Sequence, residues 1–353
     1  MKIFITGEEN IGWALDTDRK LAEQALASVA SVAKSSWGCD FVHSVSPLTT
    51  YKDYIHYKDS FISVFPGEPK RLFNFDMKLL EFCDDKPCVA QSQQAYNQLK
   101  EYGCTDVTLI PYIADIKNFY PIKNRKDIRK KYHIPQDAFI ICSFMRDSLG
   151  SNLYEPKLEK GPDIFVEIVQ RLQEKLGKDK IIVLLAGPRR HWIRLQLLSK
   201  KIKYIYIGKE TDKDDIKFNI LKPSIVNELI NASDLMVISS RTEGGPRGIL
   251  EAGLAEIPVI STDVGIAKDI LPQEYIYNST EEAVEFILQN IIYRQKIENN
   301  KVLISETIRK TCSVDNIAKR WQEFYNIRMQ NSKHKKVYAF QDISIIKSIK
   351  RIM

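Results

Sequence analysis

From about residue 139 onward, short runs of Ile, Val and Leu alternate with longer stretches whose apolar residues recur at helical spacing. The runs are FIICSF (139–144), IIVLLAG (181–187), YIYIG (204–208), DLMVISS (234–240) and PVIST (258–262). Continuous apolar runs of this length suit strands buried on both faces, as in parallel sheets covered by helices. Helices are expected between them at about 161–177, 190–202, 223–232 and 246–256. This half therefore reads as one Rossmann-like α/β domain.

The first half follows the same plan more faintly, with strands expected at KIFIT (2–6), DFVHSV (40–45), FISVF (61–65), CVAQS (88–92) and VTLIP (107–111). Leu21, Ala25, Leu26 and Val29 predict a helix over about 16–34, with Asp16 as its cap. Pro111, Pro121, the charged stretch KNRKDIRKK and Pro135 interrupt the periodicity and mark a linker. The expected division is 1–118, 119–315, a last helix over 316–330 and a tail over 331–353.

A chain of 353 residues agrees with two domains, and 44% apolar with 27% charged residues is an ordinary globular balance. MKIFIT runs at once into Gly7, Glu8 and Glu9, too short an apolar stretch for a signal peptide. No stretch reaches the roughly 18 uncharged apolar residues of a membrane span. The expected location is the cytoplasm. Six cysteines are spread singly, and Cys83 and Cys88 lack the usual ligand spacing, so reduced, buried thiols are expected rather than disulfides or zinc. The net charge of +7 sits largely in the tail, which carries Lys333, Lys335, Lys336, Lys347, Lys350 and Arg351 against Asp342. The body is near neutral, and no nucleic-acid partner is expected.

The chemistry concentrates in SSRTEGGPRGILEAG, residues 239–253, directly after the run DLMVI. Gly244 and Gly245 let the backbone approach a ligand closely, and Pro246 suits the first position of a helix beginning Arg247-Gly248. Amides of that first turn can cradle a diphosphate where open α/β sheets bind ligands. Glu243 and Glu251, eight residues apart, can bracket one extended ligand. In isolation they read as a cap and a solvated glutamate.

At these residues the sequence resembles the retaining glycosyltransferases of family 4, of GT-B fold, whose signature is two glutamates separated by seven residues. The resemblance implies two Rossmann-like domains with parallel sheets facing a central cleft, the N-terminal one, here shortened, on the acceptor side. It implies that Glu243 contacts the transferred sugar and Glu251 the nucleotide ribose. It implies that Arg146, after FIICSFM, and Lys160 reach the donor's phosphates, although thirteen residues intervene where about half a dozen are usual. Fixed cations there stabilise a departing diphosphate. The last helix, with Trp321, Phe324 and Tyr325, is expected to pack back on the first domain.

Gly187 with Arg189 and Arg190, Gly208 with Lys209, and Gly265 end successive strands and are weaker donor-pocket residues, since glycine after a strand is ordinary turn chemistry. Gly7, in TGEENIG, occupies the place of the family's flexible glycine loop. His43, alone in an apolar strand, reads as structural. The Asp-x-Asp pairs Asp16/Asp18 and Asp212/Asp214 follow no strand suited to metal binding, so a metal-independent reaction without cofactor is expected. Ile343, Ile346, Ile349 and Met353 form one stripe of the tail opposite Lys347, Lys350 and Arg351, suited to an anionic membrane face or to docking on the domain.

The function expected is transfer of a hexose from a nucleotide-diphosphate sugar to a glycan or lipid-linked acceptor, with retention. A nucleotide-sugar epimerase or hydrolase of the same fold and a non-catalytic sugar-nucleotide-binding module are the other readings. Absence of GxGxxG after Ile5 argues against a dinucleotide dehydrogenase.

Overall fold

The computed structural model describes residues 1–8, 14–178, 180–330 and 335–338, without the side chains of 294–299. The chain forms two units, one of Met1–Ile113 with the chain from Val314, the other Ala114–Ser313. The expected boundaries had stood at 118 and 315.

The first unit holds β1 (Lys2–Thr6), β2 (Ser31–Ala33), β3 (Phe41–Ser44), β4 (Phe61–Phe65), β5 (Cys88–Ala90) and β6 (Val107–Leu109). They pair in the order β2-β1-β3-β4-β5-β6, every pair parallel. The helix expected over 16–34 spans Ala14–Leu26. The Ser28 hydroxyl donates to the Ala25 carbonyl, and the chain then turns so that Val32 lies opposite Ile3 in the sheet. Asp16 lies inside this helix rather than capping it.

The helix Val314–Gln330 completes this unit, burying Ile317, Trp321, Phe324 and Tyr325 against Ile3, Leu21, Leu26, Ile62 and Val64. His43 on β3 shares a 2.9 Å hydrogen bond with the Tyr325 hydroxyl and meets the Trp321 ring edge-on. Burial drives its pKa down to about 3, so the imidazole is neutral. His43 thus ties the last helix to the sheet.

Part of the expected tail is docked. Val337 is fully buried and exchanges backbone hydrogen bonds with Gly38 and Cys39 at 2.6 and 2.8 Å. Burial of one such valine contributes about 1.5–3 kcal/mol. The rest of the tail, 331–334 and 339–353 with its apolar stripe, lies outside the described residues, as does the loop segment 9–13 with Gly12.

The second unit holds β7 (Phe139–Ser143), β8 (Ile181–Ala186), β9 (Tyr204–Ile207), β10 (Leu235–Ile238), β11 (Val259–Thr262) and β12 (Ile276–Tyr277). The order is β12-β11-β10-β7-β8-β9, again all parallel. Every residue of β7, β8 and β10 is buried, which explains their uninterrupted apolar sequence. From β7 the chain winds outward through β8 and β9, then returns to place β10 on the other side of β7. The switch point, where such sheets bind ligands, lies between the ends of β7 and β10.

All six cysteines are buried, and none forms a disulfide. No helix among the described residues is long and apolar enough to cross a membrane.

Candidate active site

The loops leaving β7 and β10 are fastened to each other by backbone bonds. The Arg241 and Thr242 amides both donate to the Glu159 carbonyl, at 2.9 and 3.2 Å, and the Ser239 hydroxyl donates to the Lys160 carbonyl at 3.3 Å. Gly161 makes this approach possible. Its φ is +56°, and a Cβ there would lie 1.8 Å from the Ser239 carbonyl oxygen. Lys160 is thereby delivered to Glu243, and the two side chains form an ion pair, 22% and 14% exposed. The Ser240 hydroxyl also reaches the same Glu243 oxygen, at 3.3 Å.

Glu243 is backed by the loop after β11. Gly265, φ +53°, packs on the Glu243–Gly244 peptide so closely that a Cβ would stand 2.1 Å from the Gly244 oxygen. Thr262 donates to the Ser240 carbonyl at 2.5 Å, and Tyr277 to that of Ile238 at 2.8 Å. Gly265 is therefore a packing glycine of the Glu243 loop. Gly244 and Gly245 lie half-buried in that loop.

The helix after the loop spans Arg247–Leu254, with Pro246 as its flanking residue at ψ 104° rather than as its first helical residue. Gly248 turns its bare Cα onto Met236 and Ile238 of β10, where a Cβ would come within 2.9 and 3.0 Å. Its missing side chain thus serves close helix–sheet packing. Glu251 follows Arg247 by one turn. Desolvation pushes its pKa up to about 7, Arg247 opposes this, and Asp115 adds to it.

Arg146 is half-buried between two anchored neighbours. Met145 accepts a 3.3 Å hydrogen bond from Ser240. Asp147 is pinned by the buried ion pair with Arg190, Nε to Oδ2 3.3 Å, and its Oδ1 accepts from the Ile193 amide at 3.1 Å. Arg190 also donates to the Ser143 carbonyl at 2.6 Å. Burial raises the Asp147 pKa and lowers that of Arg190. The thirteen residues between Arg146 and Lys160 are accommodated as a closed excursion, because the Lys157 amide returns to the Asp147 carbonyl at 2.7 Å and Ser148 bridges Pro156.

The remaining strand ends make packing and hydrogen-bond contacts of their own. Arg190 is buried, and Arg189 donates to Asp214 through Nε and Nη2 at 3.1 and 2.8 Å. Gly187, φ +84°, accepts from the Tyr206 hydroxyl at 3.0 Å through its carbonyl. Gly208 leaves room for that phenol, since a Cβ would lie 2.4 Å from its oxygen. Lys209 is exposed, with its ammonium 5.9 Å from the Phe218 ring centre. In the first unit Gly7, φ +104°, lets the end of β1 pass the backbone of Ser46, whose nitrogen a Cβ would approach to 2.6 Å. Sequence reasoning missed the buried Asp147–Arg190 pair, because PRR reads as an exposed loop.

A sequence model of the family described as glycosyl transferases group 1 matches residues 124–301. The chain belongs to that family. Comparison with curated protein sequences gives no match. Among solved structures, HepE of Anabaena in complex with UDP and glucose is similar at TM-score 0.71 and 13% identity, over 92% of this chain and 99% of that one. A sucrose-phosphate synthase of Thermosynechococcus elongatus is similar at 0.72 and 12%, over 93% and 98%. A glycosyltransferase of Rickettsia africae is similar at 0.63 and 17%, over 93% and 84%. At these identities the likeness is one of fold, and it gives this glycosyltransferase two Rossmann-like domains of the GT-B kind.

Proposed function

We propose that this group 1 glycosyltransferase moves a hexose from a nucleotide-diphosphate sugar to a hydroxyl of a glycan or lipid-linked acceptor, with retention and without a metal. The observation that carries the reading is the Lys160–Glu243 pair at the β7/β10 switch point. A cation for the diphosphate and a carboxylate for the sugar hydroxyls stand side by side there, as one ligand requires.

In this reading the donor's phosphates lie between Arg146, Lys160 and the amides at Gly244, Gly245, Arg247 and Gly248, and Glu251 takes the ribose. Gly187, Gly208 and Lys209 lie farther along the same edge and line the nucleotide end, while Gly7 borders the acceptor. As the bond from the sugar's anomeric carbon to the phosphate oxygen breaks, Arg146 and Lys160 stabilise the charge left on the diphosphate. The acceptor oxygen bonds the same carbon from the same face, and its proton passes to the departing phosphate. The terminal segment 343–353 is read as a further contact with an anionic membrane at the cytoplasmic face.

HepE, of similar fold, binds UDP and UDP-glucose, which makes UDP-sugars the first donors to test. The protein is incubated with each UDP-sugar, with and without lipid-linked and glycan acceptors, and released UDP is measured. Acceptor-dependent release is the expected result. Equal release without acceptor identifies a hydrolase, and a new sugar isomer without release an epimerase; either overturns the reading.

A further inference from the structure

We propose that the corner of the first unit built by Trp37 and Tyr338 docks on an anionic lipid bilayer. Its frame is the short segment Lys335–Tyr338, held by the buried Val337 and its two backbone bonds to Gly38 and Cys39. The Lys335 amide adds a 3.1 Å bond to the Ser60 hydroxyl. So fastened, the segment sets Tyr338 beside Trp37, ring centres 5.2 Å apart and nearly perpendicular at 76°. The two rings nonetheless stay 50% and 43% exposed. Large rings with one polar atom are the side chains that favour the headgroup layer of a membrane.

Four lysines lie close to the pair, one by contact and three within three residues of a ring along the chain. Lys2 places its ammonium 3.5 Å from the Trp37 carbonyl, and Lys34, Lys335 and Lys336 are exposed. Two carboxylates of the adjoining segments are buried or paired. Asp40, 8% exposed, accepts from the Lys2 amide at 2.8 Å, and Asp59, next to Ser60, pairs with Lys86 at 3.4 Å. The surface therefore combines aromatic rings with positive charge, the complement of an anionic headgroup layer.

A single-stranded nucleic acid also takes aromatic rings and cations. The sequence favours the bilayer. The chain leads from Tyr338 into a segment that spaces Ile343, Ile346, Ile349 and Met353 against Lys347, Lys350 and Arg351. That pairing of aliphatic and basic residues suits lipid and offers nothing to stack on bases.

The test is sedimentation of the full-length protein with phosphatidylcholine vesicles, with and without phosphatidylglycerol, at low and high salt. Wild type should bind only the anionic vesicles, and less at high salt. Lys34→Glu/Lys336→Glu should weaken binding at least about tenfold, each lysine near such a surface being worth roughly fivefold. Trp37→Ser should weaken it several-fold. Brominated lipids should quench wild-type tryptophan fluorescence and leave Trp37→Ser unquenched, a signal that a contact through the tail alone does not give.

Wild type that ignores anionic vesicles overturns the proposal. So do patch variants that bind as wild type while Lys347→Ala/Lys350→Ala/Arg351→Ala loses binding, and so does preference for single-stranded RNA over vesicles. If Trp37→Ser melts below wild type, Trp37→Phe, which removes the indole and keeps an aromatic ring, takes its place in the quenching comparison. Stabilisation by UDP, measured in the same variants, reports the donor site separately, so each reading can fail without the other.

Discussion

Lys160 and Glu243, 83 residues apart in the chain, form one ion pair at the mouth of the second sheet. Because each side chain holds the other, they are expected to act as a unit. Glu243→Ala and Lys160→Ala should each lower transfer by about 10²–10³-fold, the range for loss of one fixed charge from a transition state. The double variant should fall well short of the product of the two losses. Both residues are partly exposed, so melting points should change little. Wild-type turnover in either soluble single variant counts against their assigned roles.

Gly161 gives a test that touches neither charged group. A Cβ would press on the Ser239 carbonyl, and the left-handed backbone disfavours any other residue there. Gly161→Ala should cost about 1–3 kcal/mol in chemical denaturation. It should also lower turnover, by moving Lys160 away from Glu243. Full activity together with the stability loss would separate the turn from the site.

Much of the second unit was legible because its strands are buried on both faces. FIICS and IIVLLA carry the expected runs almost residue for residue. Of the edge strands, β6 and β9 were legible but β2 and β12 were not, since the three residues of the one and the two of the other display no period. The helix over 16–34 was drawn too long because Val29 keeps helical spacing with Ala25 after the helix has ended at Leu26. Sequence supplied Lys160 and Glu243 as separate partners of a ligand. Their mutual contact depends on the bonds from residues 159–160 to 239–242, which no local pattern announces. The docking of Val337 is equally tertiary, a lone valine among lysines.

Asp147 and Arg190 are 2% and 1% exposed, and burial disfavours the charge on both. Arg190→Met should destabilise the protein by about 3–5 kcal/mol, because it strands a buried carboxylate. Adding Asp147→Asn should recover part of that loss, since an uncharged amide oxygen can still accept from the Ile193 amide. Denaturant titration of the three proteins checks the order. A double variant less stable than Arg190→Met refutes the account.

Glu251 gives the second unit a pH dependence of definite sign. Its folded pKa, about 7, lies above the ordinary 4.5, so the folded state holds the proton more tightly. The contribution to stability is full below about 4.5 and is lost as pH rises through 7. Glu251→Gln should remove this decline and be the more stable protein at pH 8. Melting temperatures of both proteins across that range measure the difference, and parallel curves would contradict the shift.

His43 acts in the opposite direction and in the other unit. Its folded pKa, about 3, lies below the ordinary 6.5, so the unfolded chain takes up the proton first. The stability it contributes is full above 6.5 and drains away as pH falls towards 3. What is lost is the neutral imidazole's place between Tyr325 and Trp321, and the first element to loosen in acid should be the helix Val314–Gln330. Trp321 fluorescence reports this directly, because the ring is buried in the native state. His43→Gln keeps a hydrogen-bonding partner for Tyr325 and cannot take up a proton in this range. It should be somewhat less stable at pH 8 and less sensitive to acid between pH 6 and 4. If the variant's acid transition coincides with that of wild type, another group controls it, and His43 serves packing alone.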